Sequence, residues 1–349
     1  MSNSSSALKR RVLSGMRPTG KLHLGNYMGA LRNWVDLQNK YDCYFFIADW
    51  HALTTDYADP SQVKQNTLDV ALDFLAAGLD PEKCVLFVQS HVKQHAELHL
   101  LFSMITPLGW LERVPTYKEQ QENISGKDLS TYGFLGYPLL QAADILIYQP
   151  DYVPVGQDQV AHVELTREVA RRFNQFYQSK HTGTEILPEP QVLLTPSPKL
   201  PGTDGRKMSK SYGNTILLTD PEPVVRQKIK PMVTDPARVR RTDPGNPDVC
   251  PVGDLHKVFS DPETITKVYA GCTSAGIGCI ECKGWVADSI VRELAPIQER
   301  RSKYEQDLVR VQEVLNAGAK KASSRAEQTM QEVRMAMGLA ENLVDKAVR

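Results

Sequence analysis

The sequence predicts an α/β fold, in which a Rossmann-like, doubly wound parallel sheet is followed by a mostly helical C-terminal domain. Three observations lead to this prediction. Short apolar runs of strand length alternate with segments of helical periodicity in the first half of the chain. The strand signal fades after residue 205, where helical patterns continue alone. The 349 residues, 41% hydrophobic and 23% charged, have the length and composition of a globular protein with more than one domain.

The alternation can be followed element by element along the chain. The predicted strands are 11–14, 43–48 and 84–88, and the predicted helices of the first half are 25–39, 63–77, 94–105, 137–144 and 158–176. A stretch rich in Pro, Thr and Gly at 181–205 is expected to be a connector. Beyond it, helical patterns cover 222–230, 255–259, 265–270 and 286–304, and a last helix carries an apolar stripe at Ala322, Ala326, Met330, Val333 and Met337.

These elements divide the chain into four predicted regions. They are a disordered tail at 1–11, a Rossmann catalytic domain at 12–205, a helical domain at 206–312 and a C-terminal helix at 313–349. The tail is rich in Ser and then basic, without the apolar segment of a secretion signal, and no apolar run approaches the ~20 residues of a membrane span. We therefore expect a cytoplasmic protein that makes no membrane contact.

The balance of charge limits the partners that the chain can have. Acidic and basic residues number 41 each, whereas proteins that coat nucleic acid without specificity are usually strongly basic. Any contact with nucleic acid is therefore expected to be local.

The first chemical motif is the loop after the first strand, residues 14–26. It leads into a helix that begins near Gly25, and ligands of doubly wound sheets bind at the carboxyl ends of strands. The free N–H groups and the dipole of a helix N-terminus favour an anion. His23 and Asn26 add side-chain donors for phosphate oxygens. A Gly- and Pro-rich turn with a solvated histidine is the alternative interpretation.

The second motif is the basic, hydroxyl-rich loop Gly205-Arg206-Lys207-Met208-Ser209-Lys210-Ser211. Two lysines three residues apart can bind a polyphosphate whose charge grows as pyrophosphate leaves. The small serines let the backbone approach the phosphates closely. Such a loop alone would be read as a solvated surface turn, but its pairing with the first motif favours a nucleotide site.

The two motifs together resemble those of the class I aminoacyl-tRNA synthetases. His23-Leu24-Gly25-Asn26 is similar to the HIGH motif of that class, and residues 207–211 are a complete KMSKS motif. Segments 14–26, 47–54, 137–148, 153–167 and 205–214 resemble the tryptophanyl-tRNA synthetase family, so the resemblance covers nearly the whole chain. It implies activation of L-tryptophan by ATP with Mg²⁺, transfer to tRNA(Trp), and a homodimer.

The resemblance also implies roles for residues of the two motifs and of a third, at 156–159. It assigns catalytic roles to His23, Lys207 and Lys210. It assigns ATP contacts to Arg17, Pro18, Thr19, Gly25, Asn26, Gly156, Gln157, Asp158, Lys207, Met208, Ser209, Lys210 and Ser211. Asp158 would accept from ribose hydroxyls or else cap the following helix. Gln157 stands where the family usually has Glu, Arg17 where many relatives have Gln, and Gln141 where many bacterial relatives have Met, which indicates a subfamily.

The predicted helix 137–144 carries the motif that selects the amino acid. Tyr137, Gln141 and Asp144 are spaced i, i+4 and i+7 and share one helix face. An acid and an amide on an otherwise apolar helix predict a pocket for a large apolar ligand with one polar atom, and indole fits because its N–H can donate to a carboxylate. A structural cap or salt bridge at Asp144 is the alternative.

The resemblance supplies the remaining contacts of the amino-acid pocket. It implies that Asp144 receives the indole N–H and that Tyr137 and Gln159 bind the α-amino group. It places Gln141, His51 and Gly15 at the same pocket, although a lone histidine such as His51 is as often structural. Phenylalanine would leave the carboxylate buried and unpaired, so the chain requires no editing domain.

Four cysteines form a cluster with the spacing Cys250-x21-Cys272-x6-Cys279-x2-Cys282. Four thiolates can close a tetrahedral Zn²⁺ site or hold a 4Fe-4S cluster. The pattern resembles that of the bacterial subset of the family with a C-terminal iron–sulfur cluster, so 4Fe-4S is expected, with Zn²⁺ and unligated or disulfide-bonded cysteines as alternatives. The expected role is to fix a loop near the anticodon.

Two further clusters of residues were weighed as sites. Residues 226–241 hold the basic residues Arg226, Lys228, Lys230, Arg238, Arg240 and Arg241 against one acid, which predicts RNA contact or a solvated helix face. His91, His95 and His99 recur every four residues, and we expect a surface or interface stripe there rather than a metal site.

Three other functions are alternatives to the activation of tryptophan. A tyrosyl-tRNA synthetase can also place Tyr, Gln and Asp on such a helix. A non-catalytic paralogue could bind tryptophan or RNA as a regulator, although the intact residues 207–211 argue against it. A stand-alone nucleotidyltransferase would leave the basic helical region and the cysteines without a purpose.

Overall fold

The computed structural model describes residues 9–115, 129–178, 185–195 and 200–339. Within them, five parallel strands form a sheet in the order β3-β2-β1-β4-β5. The strands are β1 (Arg11–Met16), β2 (Asp42–Ile47), β3 (Cys84–Val88), β4 (Tyr152–Val155) and β5 (Gln191–Leu194). The predicted tail lies mostly outside the described residues, and β1 already begins at its last residue.

Helices cover both faces of the sheet and build the C-terminal half. In the first half they are α1 (Leu24–Asn26), a π-helical turn (Tyr27–Leu31), α2 (Arg32–Leu37), α3 (Asp49–Asp56), α4 (Val63–Ala77), α5 (Gln94–Ser103), α6 (Leu108–Glu112), α7 (Tyr132–Leu146) and α8 (Val160–Tyr177). In the second half they are α9 (Glu222–Ile229), α10 (Pro251–Phe259), α11 (Pro262–Thr273), α12 (Cys279–Glu305) and α13 (Leu308–Ala336). No helix among the described residues is long and apolar enough to cross a bilayer.

The predicted fold class, the three predicted strands and the predicted helices are confirmed, but the sequence analysis missed four short elements. These are β4, β5, α3 and α6. β4 contains Pro154, which weakens a strand pattern, and pairs with both β1 and β5. β5 lies within 181–205, so the expectation of a connector is wrong for those four residues. In the C-terminal half α12 begins at Cys279, before the predicted 286. None of the residues 279–285 is buried, so they add nothing to the apolar periodicity that predicts the rest of the helix.

The order of the strands fixes where a ligand can bind. The chain runs outward from β1 to β2 and β3, then crosses to β4 and β5 on the other side of β1. Loops leaving β1 and β4 therefore diverge, and this reversal opens a crevice at the carboxyl ends of the strands.

Side chains of β2 alternate between two apolar cores, one on each face of the sheet. Cys43, Phe45 and Ile47 face the core shared with α4 and the C-terminal helices α9, α10 and α12. Tyr44 and Phe46 face the core formed with α5, α7, α8 and α13. Both faces are thus buried, as parallel sheets require.

The C-terminal helix α13 returns to the sheet and packs against β3 and α5. Four residues of its predicted apolar stripe are fully buried, namely Ala322, Ala326, Met330 and Val333. Met337 lies just beyond the helix and packs on the same core. Residues 340–349 lie outside the described residues. α13 therefore covers the edge strand β3, which would otherwise offer unpaired backbone groups.

Candidate active site

A cavity of about 370 Å³ lies at the carboxyl ends of β1 and β4, where the strand order reverses. It is lined by all six residues predicted to bind tryptophan, namely Gly15, His51, Tyr137, Gln141, Asp144 and Gln159. Arg17 and Gly156, from the predicted ATP set, also line it. Volume and lining match those of a site for a small molecule with an apolar body and a few polar groups.

Asp144 is the buried charge of this cavity, and its carboxylate accepts four hydrogen bonds. Oδ2 accepts from His51 Nε2 at 2.8 Å and from Gln89 Nε2 at 2.9 Å. Oδ1 accepts from Gln89 Nε2 at 2.8 Å and from His95 Nδ1 at 2.6 Å. Burial alone would raise the pKa of Asp144, but the bonds from His51 and His95 outweigh it and lower the pKa to about 2. The carboxylate is therefore ionised and held in one orientation.

Gln89 and His95 are parts of this network that the sequence analysis did not identify. His95 is fully buried, so the expectation of a surface stripe is wrong for it, while His91 is exposed and His99 half-buried. His95 Nε2 lies 2.8 Å from the hydroxyl of Tyr148, which donates because Nδ1 carries the proton given to Asp144. The i, i+4 spacing was visible in the sequence, but the partner helix α7 was not.

Aromatic rings form a second wall of the cavity. The ring of Tyr137 lies 6.5 Å from that of His51 and 5.6 Å from that of His162. His162 is buried, and burial, with the nearby His51, lowers its pKa to about 4. The ring of His162 is therefore uncharged at neutral pH, and the wall presents ring faces and edges to a ligand.

Arg17 places a guanidinium at the mouth of the nucleotide loop. Its Nη2 donates to Thr55 Oγ1 at 2.6 Å, whereas its buried Nε has no hydrogen-bond partner among the described residues. Burial lowers the pKa of Arg17, against the opposing effect of Asp56. A buried donor without an acceptor is costly, so an anionic ligand here would relieve it.

The two predicted nucleotide motifs meet in the structure. Lys210 Nζ donates to the carbonyl oxygens of Thr19 at 2.9 Å and Gly20 at 2.8 Å. Gly20 has a φ of +100°, a conformation that favours glycine and turns its carbonyl toward the lysine. Burial lowers the pKa of Lys210 to about 8, so the ammonium keeps its proton at neutral pH.

His23 lies at the start of α1 with its ring packed over Gly25. A Cβ on Gly25 would lie 2.9 Å from that ring. Burial, and then the charge of Lys210, lowers the pKa of His23 to about 4, so the imidazole is neutral. Its Nδ1 is buried without a hydrogen-bond partner among the described residues. The Asn26 side chain accepts from the His23 backbone N–H at 3.2 Å.

Asn214 holds the loop of the second motif and was not predicted as a site residue. Its Oδ1 accepts from the Ser209 backbone N–H at 2.8 Å. Its Nδ2 donates to Asp204 Oδ1 at 2.7 Å and to the Lys207 carbonyl at 3.2 Å. Because Asn214 is buried, these bonds fix the loop from its buried side and leave its solvent-exposed side open.

The other residues predicted to contact ATP differ in how far they are exposed to solvent. Lys207, Ser211, Gln157, Asp158 and Thr19 are exposed, Met208 and Pro18 are buried, and Ser209, Gly156, Gly25 and Asn26 are half-buried. Asp158 lies in a 3₁₀ turn, and the N-cap of α8 is Gln159. Asp158 therefore does not cap α8, and its expected contact with ribose hydroxyls stays a prediction.

The four clustered cysteines come from three different elements and approach one another. Cys250 caps α10, Cys272 lies in α11, and Cys279 and Cys282 open α12. Burial, and then the other three thiols, raise the pKa of Cys282 to about 12. Arg238 Nη1 lies 3.8 Å from Cys272 Sγ, and a Cβ on Gly245 would lie 2.7 Å from that sulfur. Among the described residues, no group of three or more His, Cys, Asp or Glu side chains is arranged to hold a metal ion.

The predicted basic segment 226–241 is only partly available to a partner. Arg226 pairs with Glu222 and Asp288, and Lys228 pairs with Asp220. Arg238 and Arg241 donate to backbone carbonyls beside the cysteines. Lys230 and Arg240 are exposed.

Known proteins with this fold and these motifs are aminoacyl-tRNA synthetases. The family model described as class I tRNA synthetases (W and Y) matches residues 6–295. A tryptophan–tRNA ligase of Thermotoga maritima is 57% identical, over 94% of this chain and 99% of the relative. That of Ralstonia nicotianae is 51% identical, over 94% of this chain and 98% of the relative.

A solved structure extends this similarity to three dimensions. The tryptophanyl-tRNA synthetase of Campylobacter jejuni, complexed with ADP and tryptophan, matches with a TM-score of 0.84 at 35% identity, covering 94% of this chain and 100% of that one. The chain therefore belongs to the class I aminoacyl-tRNA synthetases. Within that class it is a member of the tryptophanyl-tRNA synthetase family, which confirms the resemblance read from its motifs.

Proposed function

We propose that this chain activates L-tryptophan with ATP and transfers it to tRNA(Trp). The observation that carries the proposal is the ionised, buried carboxylate of Asp144 in the wall of a cavity that also holds Tyr137 and Gln159. An indole ring would lie among the aromatic side chains, and its N–H would donate to Asp144. The relatives of high identity, all named tryptophan–tRNA ligases, support this substrate.

The occupied lone pairs of Asp144 indicate how it would accept the indole. A carboxylate has about four acceptor positions, and the four hydrogen bonds from His51, Gln89 and His95 fill them. Gln89 reaches both oxygens with one nitrogen, so it would keep Oδ1 and release Oδ2 to the substrate. A ligand that lacks the N–H would offer Oδ2 no donor in place of Gln89, so the network would discriminate by a hydrogen bond that only the indole supplies.

The activation step would be carried by positioning and electrostatics. The tryptophan carboxylate would attack the α-phosphate of ATP, the phosphorus–oxygen bond to pyrophosphate would break, and Lys207 and Lys210 would stabilise the departing charge. Neutral His23 with its free Nδ1, together with Asn26, would hold phosphate oxygens. Arg17 Nε would bind an anionic oxygen of the reactants. Mg²⁺ would bind the phosphates of ATP, as it does in phosphoryl-transfer sites. The 3′-terminal ribose of tRNA would then attack the adenylate.

Exchange of labelled pyrophosphate into ATP tests the activation step. We expect exchange with tryptophan and none with tyrosine, and at least about a 100-fold loss in Lys207→Ala because the departing charge loses a counter-ion. Lys303→Ala, which removes an exposed lysine paired with Glu299 on α12, is the matched control. Exchange with tyrosine instead would mean that the Asp144 pocket is misassigned. No exchange from folded, ATP-binding protein would favour the non-catalytic paralogue.

The cysteine cluster is proposed to hold a 4Fe-4S cluster, with Zn²⁺ as the alternative. The donor chemistry supports it, because three other thiols lie close enough to Cys282 to raise its pKa and Arg238 offers a positive charge to Cys272. Cys250, Cys272, Cys279 and Cys282 would be the ligands, and small adjustments of α10, α11 and α12 would complete the site. Iron, sulfide and zinc contents after anaerobic purification, with Cys272→Ser as control, distinguish the two.

We propose two surfaces for the partners of the reaction. Arg240 and Lys230 are exposed in the basic segment 226–241, and they would contact tRNA phosphates. Leu100, Met104, Leu108 and Tyr132 are large exposed apolar residues on α5, α6 and α7, and we propose that they form a homodimer interface. A charged residue at Leu108 would then yield monomers in sedimentation. A cytoplasmic location remains part of the proposal and agrees with six unpaired cysteines.

A further inference from the structure

A buried ion-pair cluster outside the cavity joins the C-terminal helix α12 to the loop that carries His23. Its centre is Asp73 on α4, whose side chain is fully buried. Asp73 Oδ2 accepts from the backbone N–H of Leu22 at 2.8 Å, and Oδ1 accepts from Arg301 of α12. Burial raises the pKa of Asp73 to about 6 while Arg301 opposes it, so the carboxylate is charged at neutral pH.

Arg301 is shared between two aspartates one turn apart on α4. Its Nη2 donates to Asp69 Oδ1 at 2.7 Å, and its Nε donates to Glu305 at 2.9 Å. Charges buried in this way are expensive, and apolar side chains could join two helices as well. Asp73 also binds the Leu22 backbone, whereas Asp69 accepts a hydrogen bond from Gln65 of its own helix at 3.4 Å. The hydrogen bond from Leu22 joins Asp73 to the nucleotide loop and is not part of the packing between the two helices.

Both backbone polar groups of Leu22, its N–H and its carbonyl, are hydrogen-bonded. Its N–H is bound by Asp73, and its carbonyl accepts from the Leu218 N–H at 2.9 Å. The next residue, His23, pairs with Leu217, which follows the second nucleotide motif. α12 also reaches the segment 217–218, because Gln298 Nε2 donates to the Leu218 carbonyl at 2.9 Å. A shift of Leu22 would therefore move His23 relative to Lys210.

We propose that Asp73 is a positioning residue for the ATP site, which fixes the Leu22 backbone and through it His23. Arg301 anchors Asp73 from the C-terminal half, so α12 sets the geometry of a loop in the Rossmann half. The inference rests on the proposed function only for its effect on rate. Misplacement of reacting groups by about an ångström can lower a rate by about 100-fold, which gives the contact catalytic weight.

The test compares Asp73→Leu and Asp73→Asn with the matched control Asp69→Asn, which loses an aspartate of the same Arg301 cluster but no bond to Leu22. We expect Asp73→Leu to lower kcat/KM for ATP in pyrophosphate exchange by about 30-fold or more. Asp73→Asn keeps an acceptor oxygen for Leu22 and should lose much less, and Asp69→Asn should stay within about 3-fold. The Kd of tryptophan without ATP should not change in any of the three.

Hydrogen exchange of the peptide that contains Leu22 gives a readout independent of activity. We expect its amide to exchange at least about 10-fold faster in Asp73→Leu than in wild-type protein or Asp69→Asn. Equal effects of Asp73→Leu and Asp69→Asn on both readouts would overturn the proposal, as would parallel loss of tryptophan binding.

A second variant covers the case in which Asp73→Leu alone does not fold. Asp73→Leu with Arg301→Met removes both charges together and so leaves no unpaired arginine. It should fold and show the same fast exchange at Leu22, and slow exchange there would contradict the proposal. Absence of tryptophan-dependent exchange in wild-type protein would instead contradict the proposed function and leave the Leu22 measurement decisive.

Discussion

Lys210 joins two segments 190 residues apart through hydrogen bonds to the Thr19 and Gly20 carbonyls. These carbonyls hold the ammonium beside the region where the polyphosphate would lie, but they also remove it from water. The same contact therefore positions the charge and lowers its pKa to about 8. A catalytic cation with such a pKa loses its charge within the range in which enzymes are assayed.

This gives a pH dependence with a definite sign. The ammonium is charged below its pKa and neutral above it, so tryptophan-dependent pyrophosphate exchange should fall as pH rises through about 8. Lys210→Arg keeps its charge at all these values and should show a flat profile between pH 7 and 9.5, at a lower absolute rate. The profile is measured with saturating tryptophan. A wild-type rate that stays constant to pH 9.5 would argue against Lys210 as the charge that acts on the leaving group.

At the scale of elements, short loops are fixed by buried polar residues that no motif names. Asn214 is the case for the second nucleotide loop, since its one side chain binds the backbone of Ser209 and Lys207 and the carboxylate of Asp204. Asp73 is the case for the first. Because buried side chains hold the backbone of these loops, their exposed lysines and serines would keep a fixed position for binding a nucleotide.

Replacement of Asn214 by Ala should loosen the loop that it supports. We expect kcat for exchange to fall by about 10- to 100-fold, because Lys207 and Lys210 lose their fixed geometry. The Kd of tryptophan alone should not change, since Asn214 does not line the cavity. Asn39→Ala, which replaces an exposed asparagine in the turn after α2, serves as control. Equal rates in Asn214→Ala and wild-type protein would show that the loop needs no such support.

The elements also show what the sequence could and could not predict. β2 and β3 are continuous apolar runs, so periodicity and length identify them. β4 and β5 have four residues each, one with a proline and the other with partly exposed residues. They exist because β1 offers an edge to β4 and β4 in turn offers an edge to β5. That edge is a tertiary property and leaves no local signal.

The same limit applies to the site. Tyr137, Gln141 and Asp144 share a helix face, so their convergence follows from spacing alone. His95 reaches Asp144 only because α5 packs against α7, and Gln89 reaches it from the 3₁₀ turn that follows β3. Spacing within one helix reveals neither contact. His95 was read as a surface residue for the same reason, although a polar residue can be buried wherever it finds partners.

At the scale of the whole molecule, the C-terminal half is built into the catalytic half at two places. α13 covers the edge of the sheet, and α12 reaches both nucleotide loops through Arg301 and Gln298. The N-terminus of α12 carries Cys279 and Cys282, so one helix runs from the cysteine cluster to the ATP site. The fold therefore connects the proposed tRNA surface to the loops that would activate the amino acid.

The central claim is that Asp144 selects tryptophan by its indole N–H, and one comparison of substrates tests it most directly. Pyrophosphate exchange is measured with tryptophan and with β-(3-benzothienyl)alanine, in which sulfur replaces the N–H, for wild-type protein and Asp144→Asn. Wild-type kcat/KM should favour tryptophan by at least about 100-fold, because only tryptophan donates a hydrogen bond to the buried carboxylate, and the preference should shrink below about 10-fold in the variant. Equal use of the two amino acids by wild-type protein would contradict the account.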